Sequence, residues 1–483
     1  MTPNGSTHER ASLWREIERV NPAKRSAAER ATDFHEIYSL LDEATVREQA
    51  SRCIQCPQPS CREGCPLSNR IPEWLGLAAE GRFLEAAEIS QSTSNMPEIC
   101  SRVCPQEKLC EGSCILVGHA EPICIGAIEK FINEYAFAHN DDAAMVSPAN
   151  GLRVAVVGSG PGSLACADEL AKQGYAVTIF ESQAQPGGLL LNGIPGFKLE
   201  KSVVERRLNI LRRRGVKFET GVTVGVQVQL GQLRNDFHAV FLGLGAQKAK
   251  ALDIPGAELR GVQPALPFLI QRNSTMPIDI PLVEVAGKRV VVLGGGDTAM
   301  DCLRTAIRAG ATESVCVYRR DLANMPGSRK EYYNAIEEGA EFLFLTNPVG
   351  LEANAGGEVT GVQCLKMELG EPDFSGRRKP RKVPGSEFTI KADVVLVAYG
   401  FDPVPFPPGS DFARIAINDW GAIRVDENQM TSLPGVFSGG DVVRGASLVV
   451  HAVRDGRKAA AGIHRLLILT GKSKPRPEDA EFT

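Results

Sequence analysis

Eight cysteines between residues 53 and 114 form two short runs, and they constrain this chain more than any other feature. The first run is Cys-x2-Cys-x4-Cys-x3-Cys-Pro and the second is Cys-x3-Cys-Pro-x4-Cys-x3-Cys, which places the eight thiols at Cys53, Cys56, Cys61, Cys65, Cys100, Cys104, Cys110 and Cys114. The first spacing is ferredoxin-like, and such runs hold several thiolates around one iron–sulfur cubane. Because the last cysteine of such a run commonly serves a second cluster, the pattern predicts two [4Fe–4S] centres.

Two other uses of these cysteines fit the pattern less well. Zinc prefers four ligands in two short pairs, and runs of four cysteines depart from that arrangement. A disulfide framework needs an oxidising compartment, whereas the first 20 residues are polar and contain no apolar signal segment. We therefore expect a cytoplasmic protein with reduced thiols. The other five cysteines are scattered singly and are expected to be small buried hydrophobic residues: Cys124, Cys166, Cys302, Cys316 and Cys364.

Length and composition favour a globular enzyme with several domains. The chain has 483 residues, which corresponds to about three domains. Hydrophobic residues make up 43% of the chain and charged residues 23%, which is ordinary for an enzyme of this kind. No apolar run approaches the ~18 residues of a membrane span. The net charge of −4 argues against nucleic acid or an anionic membrane as a partner.

The chain changes character near residue 150. Apolar residues recur at helical spacing over 27–51 and 71–90, and the polar, turn-rich stretch 139–151 is typical of a linker. From residue 152, short β-branched strands alternate with helices, and the pattern begins again near 288, which predicts parallel sheets. The predicted fold class is α/β. A helical iron–sulfur domain (1–150) precedes a first Rossmann-like unit (151–286 and 396–483), and a second Rossmann-like unit (287–395) is inserted in the first.

The first unit opens with a glycine-rich turn between a strand and a helix, Gly158-Ser-Gly160-Pro-Gly162-Ser163. Gly158 would make the tight turn, and Gly160 would let the backbone approach a pyrophosphate at the N-terminus of the helix. Ser163 takes the third glycine position and is small enough for close packing. Glu181 ends the next strand, where a carboxylate would accept hydrogen bonds from an adenosine ribose. These features predict a dinucleotide site.

The acidic strand end favours FAD or NAD over NADP in this unit, because a carboxylate repels a 2′-phosphate. Two further features favour FAD. The Pro186-Gly187-Gly188 loop follows Glu181 closely, so that Gly188 can pass near the flavin. Near the C-terminus, the strand-like stretch 431–441 runs into two glycines and Asp441, whose carboxylate would bind the ribityl or pyrophosphate portion. The alternative is an ordinary strand followed by a glycine-rich turn.

The second unit carries a similar turn with a different strand end. The turn residues are Gly294, Gly296, Asp297, Thr298 and Ala299, with Ala299 at the third glycine position. The following strand ends in Arg319 and Arg320, and arginine there pairs with a dianionic 2′-phosphate by charge-assisted bonds. Arg329 in the next loop is a further candidate. The pattern predicts NADPH, with a solvated strand edge as the alternative.

The two nucleotide-binding units lack one common device of flavin enzymes. Neither contains a Cys-x-x-Cys pair, so no redox-active dithiol is predicted beside the flavin. No catalytic side chain is predicted for the same reason. Electrons are therefore expected to leave the flavin through the clusters.

Taken together, these motifs resemble the family of small (beta) subunits of bacterial NADPH-dependent glutamate synthase. The same arrangement resembles the N-terminal half of dihydropyrimidine dehydrogenase and the larger subunit of NADH-dependent ferredoxin:NADP oxidoreductases. The resemblance covers almost the whole chain. It is carried by the two cysteine runs and by GSGPGSLACADELAKQGYAVTIFE, PGGLLLNGIPGFKL, GGGDTAMDCLRTAIRAGA, YRRDLANMPGSRKE and GVFSGGDVVRGASLVVHAVRDGRKAA.

The resemblance implies an electron-input subunit that oxidises NADPH, with FAD and two [4Fe–4S] clusters as cofactors. Electrons would reach an FMN on a separate large (alpha) subunit, which makes L-glutamate from L-glutamine and 2-oxoglutarate in a hetero-oligomer. Two other functions stay open. One is a related NADPH:acceptor oxidoreductase that serves ferredoxin, and the other is a redox-sensing or assembly protein with regulatory clusters.

The resemblance also implies how the ligands divide. One cluster would use Cys53, Cys56, Cys61 and Cys114, and the other would use Cys65, Cys104 and Cys110. Glu129 takes the position of the fourth ligand, where the dihydropyrimidine dehydrogenase relative has a glutamine, and Cys100 is the alternative. The helix beginning near Ala446 and Ser447 would aim its N-terminus at the flavin and stabilise the reduced anion. An ordinary amphipathic helix is the alternative there.

Overall fold

The structure is a computed structural model that describes residues 12–139, 147–274, 282–372, 376, 378–406 and 409–471. The polar N-terminal stretch is mostly outside the described residues, and so is the middle of the linker predicted over 139–151. No helix in the described ranges is long and apolar enough to cross a membrane.

The N-terminal domain is helical, as predicted. Its α-helices are Ala27–Arg30, Glu43–Ser51, Ser60–Glu63, Ile71–Glu80, Phe83–Thr93, Pro97–Val103 and Ile125–His139, with 3-10 turns at Leu13–Arg15 and Gln106–Lys108. They enclose a core around Trp74, whose side chain is fully buried. The helical pattern over 71–90 is divided into two helices because Gly81 ends the first one in the left-handed conformation, at φ 79°.

The prediction of helix across 27–51 is wrong for residues 31–42. The segment between the two observed helices runs back along the chain, and Tyr38 forms an antiparallel bridge with Lys24. The Tyr38 hydroxyl also donates to Asn334 Oδ1 of the second unit at 3.1 Å. Contacts with a distant part of the chain therefore override the local helical spacing.

The first unit is a five-stranded parallel sheet. Its strands, in spatial order, are Val436–Ser438, Ala239–Leu242, Arg153–Val157, Ala176–Glu181 and Lys217–Thr220. Its helices are Pro161–Lys172, Leu189–Asn192, Lys201–Arg213, Leu230–Asp236, Asp441–Arg444 and Val449–Leu469, with a 3-10 turn at Asp411–Arg414. The last of these α-helices, here called the C-terminal helix, packs on Pro161–Lys172 beside the first glycine-rich turn.

The second unit is another five-stranded parallel sheet, formed before the chain returns to the first sheet at Val436–Ser438. Its strands, in spatial order, are Val262–Pro264, Val394–Val397, Arg289–Leu293, Glu313–Val317 and Glu341–Leu343. Its helices are Ala265–Asn273, Asp297–Arg308 and Arg329–Glu337. The edge strand Val262–Pro264 comes from the range 151–286 predicted for the first unit. The predicted insertion of one parallel α/β unit in another is confirmed.

An antiparallel sheet that the sequence analysis did not anticipate packs on the second unit. Its strands are Thr346–Ala353, Val359–Pro372, Arg378–Lys382 and Phe388–Lys391. Val362 and Cys364 of this sheet share a hydrophobic core with Val291 and Val395 of the second unit. A short two-stranded ribbon, Lys248–Ala249 with Phe401–Asp402, lies where the chain passes between the two parallel sheets.

Buried ion pairs join the three domains. Lys198 of the first unit pairs with Asp301 of the second unit at 2.9 Å. Arg30 of the N-terminal domain pairs with Glu338 of the second unit at 3.2 Å, and Arg304 pairs with the same glutamate at 2.8 Å. The side chains of Arg30, Arg304 and Glu338 are almost completely buried. Breaking such a pair is costly because it leaves a charge without a partner in an apolar surrounding.

Candidate functional site

The first cysteine group comprises the four thiols that the resemblance assigned to one cluster, Cys53, Cys56, Cys61 and Cys114. Burial raises the pKa of Cys61 to about 12, and the neighbouring Cys53, Cys114 and Cys56 raise it further. Burial likewise raises the pKa of Cys53 to about 12, with Cys56 and Cys114 nearby. The structure therefore brings all four thiols together.

The second cysteine group comprises Cys65, Cys100, Cys104 and Cys110. These four residues line one small cavity between the N-terminal domain and the first unit, together with Glu129 and with Val450 of the C-terminal helix. Burial raises the pKa of Cys65 to about 11, and Glu129 and Cys100 lie close enough to raise it further. Burial also raises the pKa of Cys110 well above its usual range.

Both groups fit iron–sulfur clusters. A thiolate is the form that binds a metal, and burial without a compensating cation disfavours it. Bound iron supplies positive charge at the sulfur atoms and so removes the penalty that raises these pKa values. Clustered thiols that are buried or half-buried are therefore well suited to a cluster.

Glu129 and Cys100 both lie at the cavity, so each can complete the second ligand set. The Cys100 thiol is hydrogen-bonded to Cys104, which contributes most to raising the pKa of Cys104. Glu129 Oε1 accepts hydrogen bonds from Asn69 Nδ2 at 2.7 Å and from Ser90 Oγ at 3.2 Å. Burial raises the pKa of Glu129 to about 7 despite these two donors.

The second cysteine group is divided between two hydrophobic cores, whereas the first group packs in one of them. Cys100 and Cys104 pack with Leu164 and Val450 in the core of the first unit. The first cysteine group packs instead in the helical core around Trp74, where Cys53, Cys61 and Cys114 are found with Cys65 and Cys110. One edge of the second group thus adjoins the first unit, whereas the first group belongs to the helical domain.

All thirteen cysteines are free of disulfide bonds. The five that are scattered outside the two runs are buried, as predicted: Cys124, Cys166, Cys302, Cys316 and Cys364. Across the parts of the chain that the structure describes, no three histidine, cysteine, aspartate or glutamate side chains converge to hold a single metal ion.

The first glycine-rich turn has the geometry of a phosphate cradle. Gly158 has φ 88°, and a Cβ atom there would lie 2.4 Å from the carbonyl oxygen of Gly243, so only glycine fits. A Cβ atom on Gly160 would meet no atom within 4 Å, so this glycine faces open space. Gly162 lies against the C-terminal helix, where a Cβ atom would be 3.1 Å from the carbonyl oxygen of Ala452. The turn therefore packs against backbone at Gly158 and Gly162, and it is open at Gly160.

Glu181 is buried at the end of its strand and holds this turn. Its Oε2 accepts hydrogen bonds from the backbone N–H of Ser159 at 2.9 Å and from the Ser159 hydroxyl at 2.5 Å. Its Oε1 accepts from the backbone N–H of Gln183 at 2.8 Å. The Gly188 loop lies directly opposite, since a Cβ atom on Gly188 would be 3.1 Å from the Cα atom of Gly160. The glutamate, the loop and the turn therefore form one site.

Asp441 begins a short helix after the strand Val436–Ser438. Burial raises the pKa of Asp441 to about 7, although the backbone N–H of Ser447 donates to its carboxylate. Ala446 and Ser447 are exposed in the turn that leads to the C-terminal helix, which begins at Val449 and not at the predicted residues 446–447. Asp455 on that helix accepts hydrogen bonds from the backbone N–H of Gly440 and from Arg444. The hydrogen bonds of Asp455 with Gly440 and Arg444 thus hold the backbone on either side of Asp441.

The second glycine-rich turn repeats the first. Gly294 has φ 139°, and a Cβ atom there would lie 2.4 Å from the carbonyl oxygen of Ala398, whereas Gly296 faces open space. The helix Asp297–Arg308, which carries Thr298 and Ala299 in its first turn, starts at this point. Asp297 Oδ1 accepts from the backbone N–H of Ser328 at 2.9 Å. The loop that contains Ser328 is thus held beside the open face at Gly296.

The three arginines predicted for the 2′-phosphate lie in different surroundings. Arg319 is exposed at the end of the strand Glu313–Val317. Arg320 is buried, and its Nε donates to the carbonyl oxygen of Arg378 at 2.8 Å. Arg329 lines a larger cavity between the second unit and the N-terminal domain, together with Tyr38 and Lys130.

Sequence reasoning missed the residues that surround Glu129. Asn69 follows Cys65 by four residues, and Ser90 lies on the helix Phe83–Thr93, which contains no cysteine. Neither belongs to a recognisable motif. The only available signal was the closeness of Asn69 to the end of a cysteine run.

Comparison with known proteins assigns both halves of the chain. Residues 30–141 match the family model described as dihydropyrimidine dehydrogenase domain II, 4Fe-4S cluster. Residues 152–456 match the family model described as pyridine nucleotide-disulphide oxidoreductase. The predicted cofactor classes, [4Fe–4S] cluster, FAD and NADPH, are confirmed by these matches together with the relatives below. The helical iron–sulfur domain followed by Rossmann-like units is confirmed as well.

A solved structure has a similar fold. Mycobacterium tuberculosis FprA in complex with NADPH has a TM-score of 0.57 and 22% sequence identity, covering 69% of this chain and 88% of that chain. At this identity the likeness concerns the fold alone.

The sequence relatives cover nearly the whole chain. The glutamate synthase (NADPH) small chain of Azospirillum brasilense is 47% identical, covering 92% of this chain and 93% of that protein. The corresponding small chain of Escherichia coli is 45% identical, covering 93% and 97%. AegA of Escherichia coli, named as an oxidoreductase, is 44% identical over 92% of this chain and 69% of its own length. The chain therefore belongs to the glutamate synthase (NADPH) small-chain family of NADPH-dependent oxidoreductases.

Proposed function

We propose that this chain is the electron-input subunit of a glutamate synthase, which oxidises NADPH and passes electrons to a large (alpha) subunit that carries FMN. The large subunit would use these electrons to make L-glutamate from L-glutamine and 2-oxoglutarate. The two proteins would form a hetero-oligomer in the cytoplasm. The relatives named as small chains, which match along almost the full length of both proteins, support this partner.

One observation carries the proposal. The second cysteine group shares its cavity with Val450, which lies in the first turn of the C-terminal helix. Asp441 and Ser447, which we propose to bind FAD, lie directly before that helix. The residues proposed for one cluster thus adjoin the residues proposed for FAD, and the first cysteine group lies in the helical domain beyond. This order supports electron flow from the nucleotide units outward through the N-terminal domain.

The first unit would hold FAD. The backbone at Gly158, Gly160 and Gly162 would face the pyrophosphate, with Ser163 allowing the helix to pack closely. The remaining contacts would come from Glu181, Gly188, Asp441, Ala446 and Ser447. Bound FAD supplies the chemistry that converts a two-electron donor into single-electron steps. The protein contributes position and charge, and the buried Glu181 discriminates against a phosphorylated ribose.

The second unit would hold NADPH. The open face at Gly296 and the helix N-terminus at Asp297, Thr298 and Ala299 would bind the pyrophosphate. The exposed guanidinium of Arg319 would pair with the 2′-phosphate, and the buried Arg320 would support the strand end from behind. Arg329 would contribute from the neighbouring cavity.

Two clusters would occupy the two cysteine groups. Cys53, Cys56, Cys61 and Cys114 would hold one, and the closeness of the other three thiols to Cys61 supports this set. Cys65, Cys104 and Cys110 would hold the other, with Glu129 as its fourth ligand. Cys100 lies at the same cavity and is the alternative fourth ligand.

Anaerobic reconstitution tests the proposal. Purified chain should be bleached by NADPH and should reduce ferricyanide, whereas glutamate should form only after the large subunit is added. The Cys56→Ala variant should lose iron and glutamate formation while it retains FAD and bleaching by NADPH. Glutamate formation at the parent rate by a variant that lacks iron would contradict electron transfer through the clusters.

A second function deserves a direct test because of the likeness to AegA, which is named only as an oxidoreductase. The chain would then be an NADPH:acceptor oxidoreductase that reduces a ferredoxin-type protein. Rapid reduction of ferredoxin without a large subunit, combined with no glutamate formation when one is supplied, would favour this function over the first.

A further inference from the structure

The strongest unassigned feature is a chain of buried polar side chains that ends on Glu129. Glu129 lies on the helix Ile125–His139 and lines the cavity of the second cysteine group. Its Oε1 accepts hydrogen bonds from Asn69 and Ser90. Its Oε2 accepts no hydrogen bond from any described residue. One carboxylate oxygen is therefore held, and the other remains available.

The orientation of Asn69 is fixed by its other contacts. Asn69 Oδ1 accepts hydrogen bonds from Trp74 Nε1 at 3.3 Å and from Thr93 Oγ1 at 2.9 Å. An indole N–H can only donate, so turning the amide over would place two donors against each other. The Asn69 amino group is consequently directed at Glu129. Asn69 and Trp74 are buried, so water cannot replace these bonds.

The orientation of Ser90 is fixed in a similar way. Its hydroxyl oxygen accepts a hydrogen bond from Asn133 Nδ2 at 3.4 Å, which leaves its single proton for Glu129. Asn133 Nδ2 also donates to the backbone carbonyl oxygen of Glu129 at 2.9 Å. Ser90 and Asn133 are fully buried. Both donors to Glu129 are thus set by Trp74, Thr93 and Asn133, which do not line the cavity of the second cysteine group.

We propose that Asn69 and Ser90 are positioning residues that hold the Glu129 carboxylate as a ligand for the cluster of the second cysteine group. Outer hydrogen bonds of this kind orient a metal ligand and tune the metal. Two donors on one oxygen also draw negative charge away from the ligand, which favours the reduced cluster. The inference rests on the proposed ligand role of Glu129, and the variants below separate the two claims.

The test uses the full chain loaded anaerobically with FAD and iron–sulfur clusters. Asn69→Asp keeps the size of the side chain and the acceptor for Trp74, but it replaces the donor to Glu129 by an oxygen. Ser90→Ala removes the weaker donor. Each variant is examined for iron, sulfide and FAD content, for the electron paramagnetic resonance signals of the reduced clusters and for their midpoint potentials.

Asn69→Asp is expected to shift one cluster to a lower midpoint potential and to change its resonance signal, with the other cluster and FAD unaffected. Ser90→Ala is expected to act in the same direction to a smaller extent. Asn209→Asp on an exposed helix face and Ser92→Ala, exposed on the same helix as Ser90, are the matched controls and should leave both clusters unchanged.

Glu129→Ala, which removes the oxygen ligand altogether, separates the positioning role from the ligand role. Unchanged signals in Glu129→Ala would contradict Glu129 as a ligand and would overturn both claims. A changed signal in Glu129→Ala, with parent potentials in Asn69→Asp and Ser90→Ala, would overturn the positioning role alone. If Asn69→Asp fails to fold and loses FAD along with iron, the potential of Ser90→Ala decides.

Discussion

The two glycine-rich turns have nearly the same geometry but serve different strand ends. In both, the first glycine has positive φ and lies against a backbone carbonyl oxygen, with a would-be Cβ distance of 2.4 Å in each case. In both, the glycine two positions later, Gly160 or Gly296, faces open space. The strand after the first turn ends at the buried Glu181, whereas the strand after the second ends at Val317, two residues before the exposed Arg319. Under the proposed assignment, the turn binds the pyrophosphate and these residues select the dinucleotide.

The residues at the two strand ends also differ in their contacts within the protein. Glu181 already holds the turn through Ser159 and is part of the folded structure. Arg319 is solvated and has no such structural role, while its neighbour Arg320 takes the buried position. Under the proposed assignment, a buried carboxylate would disfavour a 2′-phosphate at the first site, and an exposed guanidinium would attract it at the second.

The largest effect is expected from Gly158→Ala. Its methyl group would meet the Gly243 carbonyl oxygen, and φ 88° is strained for alanine, so the free energy of unfolding should fall by roughly 2–4 kcal/mol and FAD should be lost. Gly160→Ala should keep the stability of the parent and lose only FAD, because its methyl group occupies the open face. Thermal unfolding and flavin absorbance measure both. If Gly160→Ala bound FAD as tightly as the parent, the proposed phosphate site at this turn would be wrong.

The next effect concerns Asp441, which belongs only to the first site. Its pKa is raised to about 7 by burial, so the folded state holds this proton more tightly than the unfolded state. The free energy of unfolding therefore falls as pH rises from about 4 to about 7. In FAD-free protein, the parent should lose unfolding free energy between pH 5 and pH 8, and Asp441→Asn should not. The difference in unfolding free energy between Asp441→Asn and the parent should therefore grow by about 2–3 kcal/mol from pH 5 to pH 8. Urea unfolding at these two pH values measures the gain, with the exposed Asp236→Asn as control.

Arg319→Ala sharpens the comparison at the second site. Loss of a charge-assisted bond to the 2′-phosphate should weaken NADPH by roughly 1.5–3 kcal/mol, which raises its KM about 10- to 150-fold, and should leave NADH unchanged. Arg320→Ala removes a buried hydrogen bond and should lower stability and weaken both nucleotides alike. Steady-state reduction of ferricyanide with each nucleotide gives the answer. An equal rise in KM for NADPH and NADH in Arg319→Ala would contradict a contact between Arg319 and the 2′-phosphate.

The smallest effect is expected from Glu181→Gln. The amide keeps one acceptor but turns a donor toward either Ser159 or Gln183, so stability and FAD affinity should each fall by roughly 1–2 kcal/mol. Flavin release on dilution and thermal unfolding measure these losses. Glu205→Gln on an exposed helix face is the matched control. An FAD affinity equal to that of the parent would show that the turn held by Glu181 is not part of the FAD site.

Local patterns predicted the elements that carry these turns. The strand Ala176–Glu181 has the predicted bounds, because its β-branched run Val177-Thr178-Ile179 favours a strand and it ends at a glutamate. The helix predicted over 164–173 is observed as Pro161–Lys172, since proline is well suited to the first helical position. The C-terminal helix begins two residues later than predicted because the preceding turn is fastened by Asp441 and Ser447.

Long-range contacts account for what the sequence did not reveal. Residues 31–42 have helical spacing, yet they lie along the second unit, where Tyr38 meets Asn334. The strand Val262–Pro264 joins the second sheet although it precedes the glycine-rich turn of that unit by more than 20 residues. The partition of the cysteines between two cores likewise depends on packing that no spacing encodes. The donors to Glu129 lie outside every motif.

The buried ion pairs that join the three domains have a consequence for turnover. Swinging the second unit away from the first would part Lys198 from Asp301, and moving it from the N-terminal domain would part Arg30 from Glu338. Opening either boundary would therefore break an ion pair that the closed arrangement holds. These pairs favour the closed arrangement, in which the proposed nucleotide and cluster sites keep fixed distances from one another.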